Sequence, residues 1–248
     1  MGKIDQAFVK GRYTVRFSRR AVDLAAAEAL RARVFRGDAA RTDRDAFDAA
    51  CLHALVEEVN TGTLVCCFRL LPFANGSGVS DSYAAQSYDL SGLAEFPGKM
   101  LELGRFCIHP DWHDPDILRV AWGALTRYVD AEAVQLMFGC SSFEGVDAGP
   151  YATAFATLSA RHLGPTKWRP GVKAPQTVSL TEICKPAISL DQAQAQLPPL
   201  LRTYLMMGGW VSDHAVVDHD LGTLHVFTGV EVAAIPPARK RLLRALAA

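Results

Sequence analysis

Apolar positions along this chain fall into blocks of two spacings, divided by polar stretches. TVRFSRR (14–20) predicts a short strand. Over 21–35, Val22, Leu24, Leu30, Val34 and Phe35 recur among strong helix formers and predict a helix that stops at Gly37. Residues 38–50 carry Asp38, Asp43, Asp45 and Asp48 and predict a long surface loop. The apolar runs 52–59 and 63–71 flank Asn60-Thr61-Gly62, a hairpin signal. Residues 74–99 are rich in Gly, Ser and Asp and predict an excursion. The strand 101–109 alternates Leu101, Leu103, Arg105 and Cys107 against Glu102, Gly104, Phe106 and Ile108, and Pro110 ends it. Ile117, Val120, Ala121, Ala124, Leu125 and Tyr128 form one stripe of a helix over 117–133. The continuous apolar run 134–140 predicts a buried central strand.

Further helices are expected at 150–164, with Pro150 near its start, and over 190–209, where Pro198-Pro199 opens a second part. The runs 211–217 and 223–230 form a second hairpin around Asp218-His219-Asp220-Leu221-Gly222, and a basic helix covers 236–248. This order predicts one α/β domain with a mixed central sheet over 1–235, followed by the terminal helix.

At 248 residues the chain can bury a sizeable core. Hydrophobic residues are 50% and charged residues 21%, which excludes a disordered chain. Lys+Arg and Asp+Glu are equal at 26 each, which argues against a surface built as a whole for nucleic acid. No run of apolar residues is long enough to span a bilayer, and the first residues lack a signal-peptide core. Cys51, Cys66, Cys67, Cys107, Cys140 and Cys184 contain no C-x-x-C pair, so reduced, mostly buried thiols in the cytoplasm are expected.

The densest chemistry lies in Glu102-Leu103-Gly104-Arg105-Phe106. Two charges in an apolar strand are costly unless paired or used. Period 2 puts them on opposite faces, and Gly104 could host a bulge that changes this. Arg31 and Arg33, the acidic loop, and Arg69 within an apolar strand are further candidates. The plain alternatives are helix-surface charges and a solvated loop. His109, Asp111, His113, Asp114 and Asp116 do not make a metal site, because Pro110 and Pro115 prevent a helix from fixing their spacing. Gly139 to Phe143 lacks the G-x-S-x-G pattern of a hydrolase. His214, His219 and His225 are expected at the surface or in the turn.

In order, Arg31 with Phe35, Asp45 with Asp48, Phe68 to Pro72, and Glu102 to Phe106 resemble the motifs of acyl-homoserine-lactone synthases, which have the GNAT fold. The closer resemblance is to the bacterial ornithine N-acyltransferases of aminolipid synthesis. It rests on F-D-x-x-C-x-H-x-L-V (Phe47 to Val56), E-L-G-R-x-x-x-H-P (Glu102 to Pro110), and F-G-C-x-S-F (Phe138 to Phe143). P-P-L-L-R-x-Y-L (Pro198 to Leu205) and W-V-x-D-x-A-V-V-D (Trp210 to Asp218) complete it.

The resemblance implies a GNAT-like mixed twisted sheet in which strands 101–109 and 134–140 splay apart and admit an acyl-pantetheine. It implies transfer of a fatty acyl group, 3-hydroxyacyl by class, to the α-amino group of ornithine, giving a lyso-aminolipid. Another acceptor such as glutamine, a homoserine-lactone synthase, and a non-catalytic acyl-carrier-binding module remain as alternatives. Where relatives carry Arg-Gly-Gly, this chain has Asp111 to Asp116 without glycine, a poor cradle for the pyrophosphate of CoA. The resemblance implies acyl carrier protein as the donor. The carrier brings its own phosphopantetheine, and no metal or resident cofactor is expected. Glu102 is the candidate base, Arg105 or Arg69 the carboxylate clamp, and Tyr151 the acid for the leaving thiolate. Arg31, Phe35, Asp45 and Asp48 are assigned to substrate binding, the aspartates to a cationic side chain. Arg239, Lys240, Arg241 and Arg244 suit the carrier or anionic lipid at the inner membrane, with a solvated terminal helix as the alternative.

Overall fold

The computed structural model describes residues 7–38, 42–182 and 190–247; Cys184 and the first six residues lie outside them. Along the chain the elements are β1 (Phe8–Lys10), β2 (Tyr13–Ser18), α1 (Ala21–Phe35), β3 (Leu52–Glu58), β4 (Leu64–Phe73), β5 (Tyr88–Asp89), α2 (Ser91–Ala94), β6 (Met100–Ile108) and α3 (Pro115–Glu132). They continue with β7 (Leu136–Glu144), α4 (Ala152–Arg161), β8 (Gly171–Val172), β9 (Thr177–Ser179), α5 (Leu190–Gln196), α6 (Pro199–Met206), β10 (Trp210–Asp218), β11 (Thr223–Glu231) and α7 (Pro237–Ala247).

The chain divides into two compact units: residues 1–72, 103–134 and 237–248 form one, and residues 73–102 and 135–236 the other. In the first unit the strand order is β1-β2-β3-β4-β6. β2 pairs antiparallel with β3 from Tyr13↔Glu58 to Ser18↔His53, and β3 with β4 across a bulge at Val56/Glu57. α1 buries Ala27 and Leu30 against Cys67 and Cys107, with Val34 and Phe35 alongside. The predicted stripe of α3 is buried throughout. Asp114 caps this helix, accepting the Asp116 N–H, and Pro115 takes the first position, where a missing N–H costs nothing. The terminal helix is part of this unit: the Lys10 ammonium donates to the carbonyls of Ala245 and Leu246, and Arg244 makes a two-point pair with Asp130 at 3.0 and 3.1 Å.

In the second unit β7 and β11 form a long antiparallel ladder from Thr223↔Glu144 to Glu231↔Leu136, and β10 and β9 follow. Met100 to Glu102 pair in parallel with Leu136 to Phe138, which makes the sheet mixed, as expected. Phe138 and Trp210 each stack with Phe227, and Tyr88 meets Phe227 in a T-shaped contact. Phe143, Phe155, Leu224 and Val226 form the core of another cluster. β10 bulges between Val211 and Ala215, and the Ser212 hydroxyl serves the interrupted ladder by accepting the Phe227 N–H and donating to the His214 carbonyl.

The predicted helix 150–164 starts as a 3-10 turn at Gly149–Tyr151 and ends at Arg161. The pattern 190–209 forms two helices, because Pro198 and Pro199 cannot continue the first. The short strands β1, β5, β8 and β9 are too brief to leave a periodic signal.

Candidate functional site

Arg31 is set by α1 into the interior of the first unit and is 1% exposed. It is not a surface charge, and the segment after α1 is not a solvated loop, because each supplies what the other needs. Arg31 donates from Nε to Asp43 Oδ2 (2.9 Å) and from Nη1 and Nη2 to the two oxygens of Asp48 (2.7 and 2.8 Å). Its Nη2 also donates to the Asp43 carbonyl. From β4, Arg69 holds Asp45 at two points (2.6 and 2.8 Å) and reaches Asp48 at 2.7 Å. The Phe47 ring lies against its guanidinium. Arg105 on β6 completes the network, with Nε 3.1 Å from Asp43 Oδ2 and Nη2 3.3 Å from Asp45 Oδ2.

Burial pushes the Asp48 carboxyl up, but Arg31, the Asp45 N–H and Arg69 outweigh it and hold the group well below the usual carboxylate range. Burial acts on Asp45 in the same way, and Arg69 again prevails. His53 on β3 is buried, and burial pushes its imidazole down. Its Nε2 must carry the proton, since it faces the Asp48 carbonyl at 2.9 Å and a carbonyl can only accept.

This geometry separates residues that the sequence grouped. Asp48 is buried and already serves two arginines, so its carboxylate is taken up within the first unit. The same holds for Arg31 and for Arg69, which is spent on two aspartates. Asp45 and Arg105 are the least buried of the six, with side chains 21% and 11% exposed. Phe35 is a packing residue at the end of α1. Asp43, which only the acidic character of its loop marked, is a full partner in the network. Arg105 also breaks the expected alternation of β6: its φ is +52°, a left-handed conformation rare for a residue with a Cβ. Gly104 signalled an irregularity, but the unusual backbone lies on Arg105 itself.

Glu102 belongs to the second unit. Its Oε2 accepts the Tyr83 N–H at 2.9 Å and its Oε1 the Ala84 N–H at 2.7 Å, so the carboxylate anchors the excursion at the first turn of Ala84–Gln86. Tyr151 donates its hydroxyl to the Glu144 carbonyl at 2.8 Å, and its ring meets the edge of Phe143.

His219 is exposed as expected, but His214 and His225 are each only 3% exposed, contrary to the surface placement expected for them. They lie on the sheet face that Tyr88 covers, with ring centroids 5.2 and 5.6 Å from it. The residue types of the hairpin gave no sign of this, because the covering residue comes from the distant excursion. Burial pushes the His225 imidazole down from 6.5 to about 4, against a small upward pull from Asp218. A folded value below the unfolded one means that the unfolded chain binds more protons between them. Stability is therefore full above pH 6.5 and declines as pH falls toward 4, by about 3 kcal/mol if His225 acts alone. The depressed aspartates contribute in a lower window, below about pH 4. His225→Gln should flatten the dependence of urea-unfolding free energy on pH between 5 and 6.5. An unchanged slope would show that His225 is not the group responsible.

Among the described residues no cluster of His, Cys, Asp or Glu could hold a metal ion, and no helix is long and apolar enough to cross a membrane. Cys51, Cys66, Cys67, Cys107 and Cys140 are free thiols.

Residues 28–123 match the acetyltransferase (GNAT) domain family. The chain is 30% identical over 238 residues to the L-ornithine N(alpha)-acyltransferase of Rhodobacter capsulatus, covering 90% of this chain and 91% of that one. It is 29% identical over 243 residues to the protein of the same name from Agrobacterium fabrum, covering 91% and 83%. Among solved structures, TofI in an apo form matches with a TM-score of 0.52 at 15% identity, over 95% of this chain and 99% of that one. FeeM, an N-acyl amino acid synthase from uncultured soil microbes, matches with a TM-score of 0.52 at 8% identity, over 90% and 94%. The fold is GNAT-like, as the motifs implied.

Proposed function

The chain belongs to the L-ornithine N(alpha)-acyltransferase family and is an acyltransferase, and we propose that it moves a fatty acyl group, 3-hydroxyacyl by class, from acyl carrier protein to the α-amino group of ornithine, giving a lyso-ornithine lipid. The observation that carries the acceptor is the pairing of Arg105 with Asp45 at the least buried part of the arginine–aspartate network. One cation suits an α-carboxylate and one anion suits a side-chain ammonium, the two charges by which ornithine differs from a simple amine. A neutral acceptor such as glutamine would use only the first.

In the reaction the α-amine attacks the thioester carbonyl. The new N–C bond forms, the attacking nitrogen gives up its second proton, the C–S bond breaks, and the thiolate leaves with a proton, so that one proton passes overall from nitrogen to sulfur and the other stays on the base. An amine of this class is mostly protonated near neutral pH, so it must first lose a proton to become a nucleophile. Glu102 takes that proton, directly or through water. A backbone N–H within 105–108 donates to the oxyanion. Tyr151 is the assigned proton donor for the thiolate. Its hydroxyl then has to exchange its bond to the Glu144 carbonyl for one to sulfur.

The donor assignment is supported by the start of α3. The Asp114 carboxylate accepts the Asp116 N–H at 2.9 Å and the Tyr13 hydroxyl at 2.7 Å. A helix start already filled by an anion, with Asp111 and Asp116 beside it, repels a pyrophosphate. Acyl carrier protein should therefore support turnover far better than acyl-CoA of the same chain length. Equal kcat/KM for the two donors would remove the argument. We assign Arg239, Lys240 and Arg241 of α7 to anionic lipid headgroups, with Leu242, 59% exposed, beside them, while Arg244, expected to join them, pairs with Asp130. Co-sedimentation with anionic but not neutral vesicles is the expected result, and equal binding to both would exclude it.

A further inference from the structure

We propose that Asp43 is a positioning residue of the acceptor site, holding the Arg105 guanidinium in the orientation that meets the acceptor's carboxylate. This rests on the reading of Arg105 as the carboxylate clamp and goes beyond it, since Asp43 lies outside every motif that points to the family.

Asp43 is only 2% exposed. Its Oδ2 is shared between Arg31 Nε at 2.9 Å and Arg105 Nε at 3.1 Å, and its Oδ1 faces Arg36 Nε at 3.5 Å. Arg31 is itself locked by the two oxygens of Asp48, so Asp43 is tied to a rigid, buried cation and cannot follow Arg105 if that side chain swings. Arg105 needs such a fixed point. Its backbone is left-handed at φ +52°, and conformations of that kind persist only where the surroundings over-determine them. Asp43 lies against Nε as an ion pair, without an aligned hydrogen bond, and Asp45 accepts from Nη2, so two carboxylates flank one side of the guanidinium fork. The direction of its terminal donors is then set as well, and bidentate recognition of a carboxylate depends on that direction. A carboxylate placed only to neutralise Arg31 has no reason to share the same oxygen with Arg105.

The test compares ornithine with ornithinamide, which keeps both amines and lacks the carboxylate, in the full-length enzyme with acyl carrier protein as donor. Asp43→Asn should raise the KM for ornithine more than it lowers kcat and leave ornithinamide nearly unchanged. The preference for ornithine, as a ratio of kcat/KM values, should fall about tenfold, the scale of one charge-assisted contact. Arg105→Gln should erase the preference, and the double variant should lose no more than Arg105→Gln alone. If Asp43→Asn lowers both substrates alike along with the Tm, Asp43 is structural and the proposal fails. If Arg105→Gln erases the preference but Asp43→Asn keeps it, the proposal fails while the clamp stands. If Arg105→Gln keeps the preference, the clamp reading fails and takes the proposal with it. Should Asp43→Asn not fold, Asp43→Glu is read in the same way, since it keeps the charge for Arg31 and displaces the carboxylate by one methylene.

Discussion

Asp48→Ala should cost about 3–5 kcal/mol of stability, the penalty for leaving buried charges without their partner. Arg31 would lose two of its bonds and Arg69 one, in an interior where water cannot replace them. A domain of this size is stable by about 5–15 kcal/mol, so the variant should melt far below the parent or fail to accumulate. Asp45→Ala is the informative contrast. Its side chain is partly exposed, Arg69 keeps its contact with Asp48, and Arg105 keeps its contact with Asp43. That variant should stay folded and lose use of ornithine instead. Thermal melts of the two variants, with ornithine kinetics on whichever is soluble, read both halves. An Asp48→Ala protein that melts within a degree or two of the parent would mean that the network does not hold the first unit.

The divided roles of Asp45 and Asp48 mark the limit of what spacing reveals. Helix α1 was legible to the residue, because its formers and the Gly37 stop are local. Both hairpins and the stripe of α3 were legible for the same reason. The D-x-x-D motif located the chemistry but could not rank its members. Which carboxylate faces inward depends on Arg31 and Arg69, which reach the segment from a helix and a strand that its own sequence does not specify. No repeat or motif distinguishes Asp43 from the other acidic residues of its polar stretch. The burial of His214 and His225 is not visible in their own hairpin, because Tyr88, more than a hundred residues earlier in the chain, covers that sheet face. Glu102 stands out in the sequence as a costly charge in an apolar strand, but its hydrogen-bond partners come from an excursion with no periodic pattern.

Those partners change what Glu102→Gln should do. A carboxylate offers an acceptor oxygen to each of the Tyr83 and Ala84 N–H groups. Glutamine offers one oxygen, and its amide nitrogen would point a donor at a donor. The substitution therefore cannot leave the fold untouched, and a drop in Tm corresponding to about 1–3 kcal/mol is expected from one unsatisfied buried group. Each carboxylate oxygen still has a second lone pair, so anchoring the excursion and accepting the amine's proton are compatible roles. They differ in what they do to the folded molecules that remain. If Glu102 is the base, kcat/KM per folded enzyme should fall by roughly 10² or more, and part of it should return at higher pH, where more of the acceptor is already free amine. If Glu102 only anchors residues 83–84, the surviving folded fraction should turn over at the parent rate and show the parent's pH profile. Single-turnover rates and melting curves from one preparation separate the two outcomes. Glu102→Asp adds a control that keeps the charge and shortens its reach. A variant that is destabilised yet fully active would end the catalytic assignment and leave Glu102 as the anchor of the excursion.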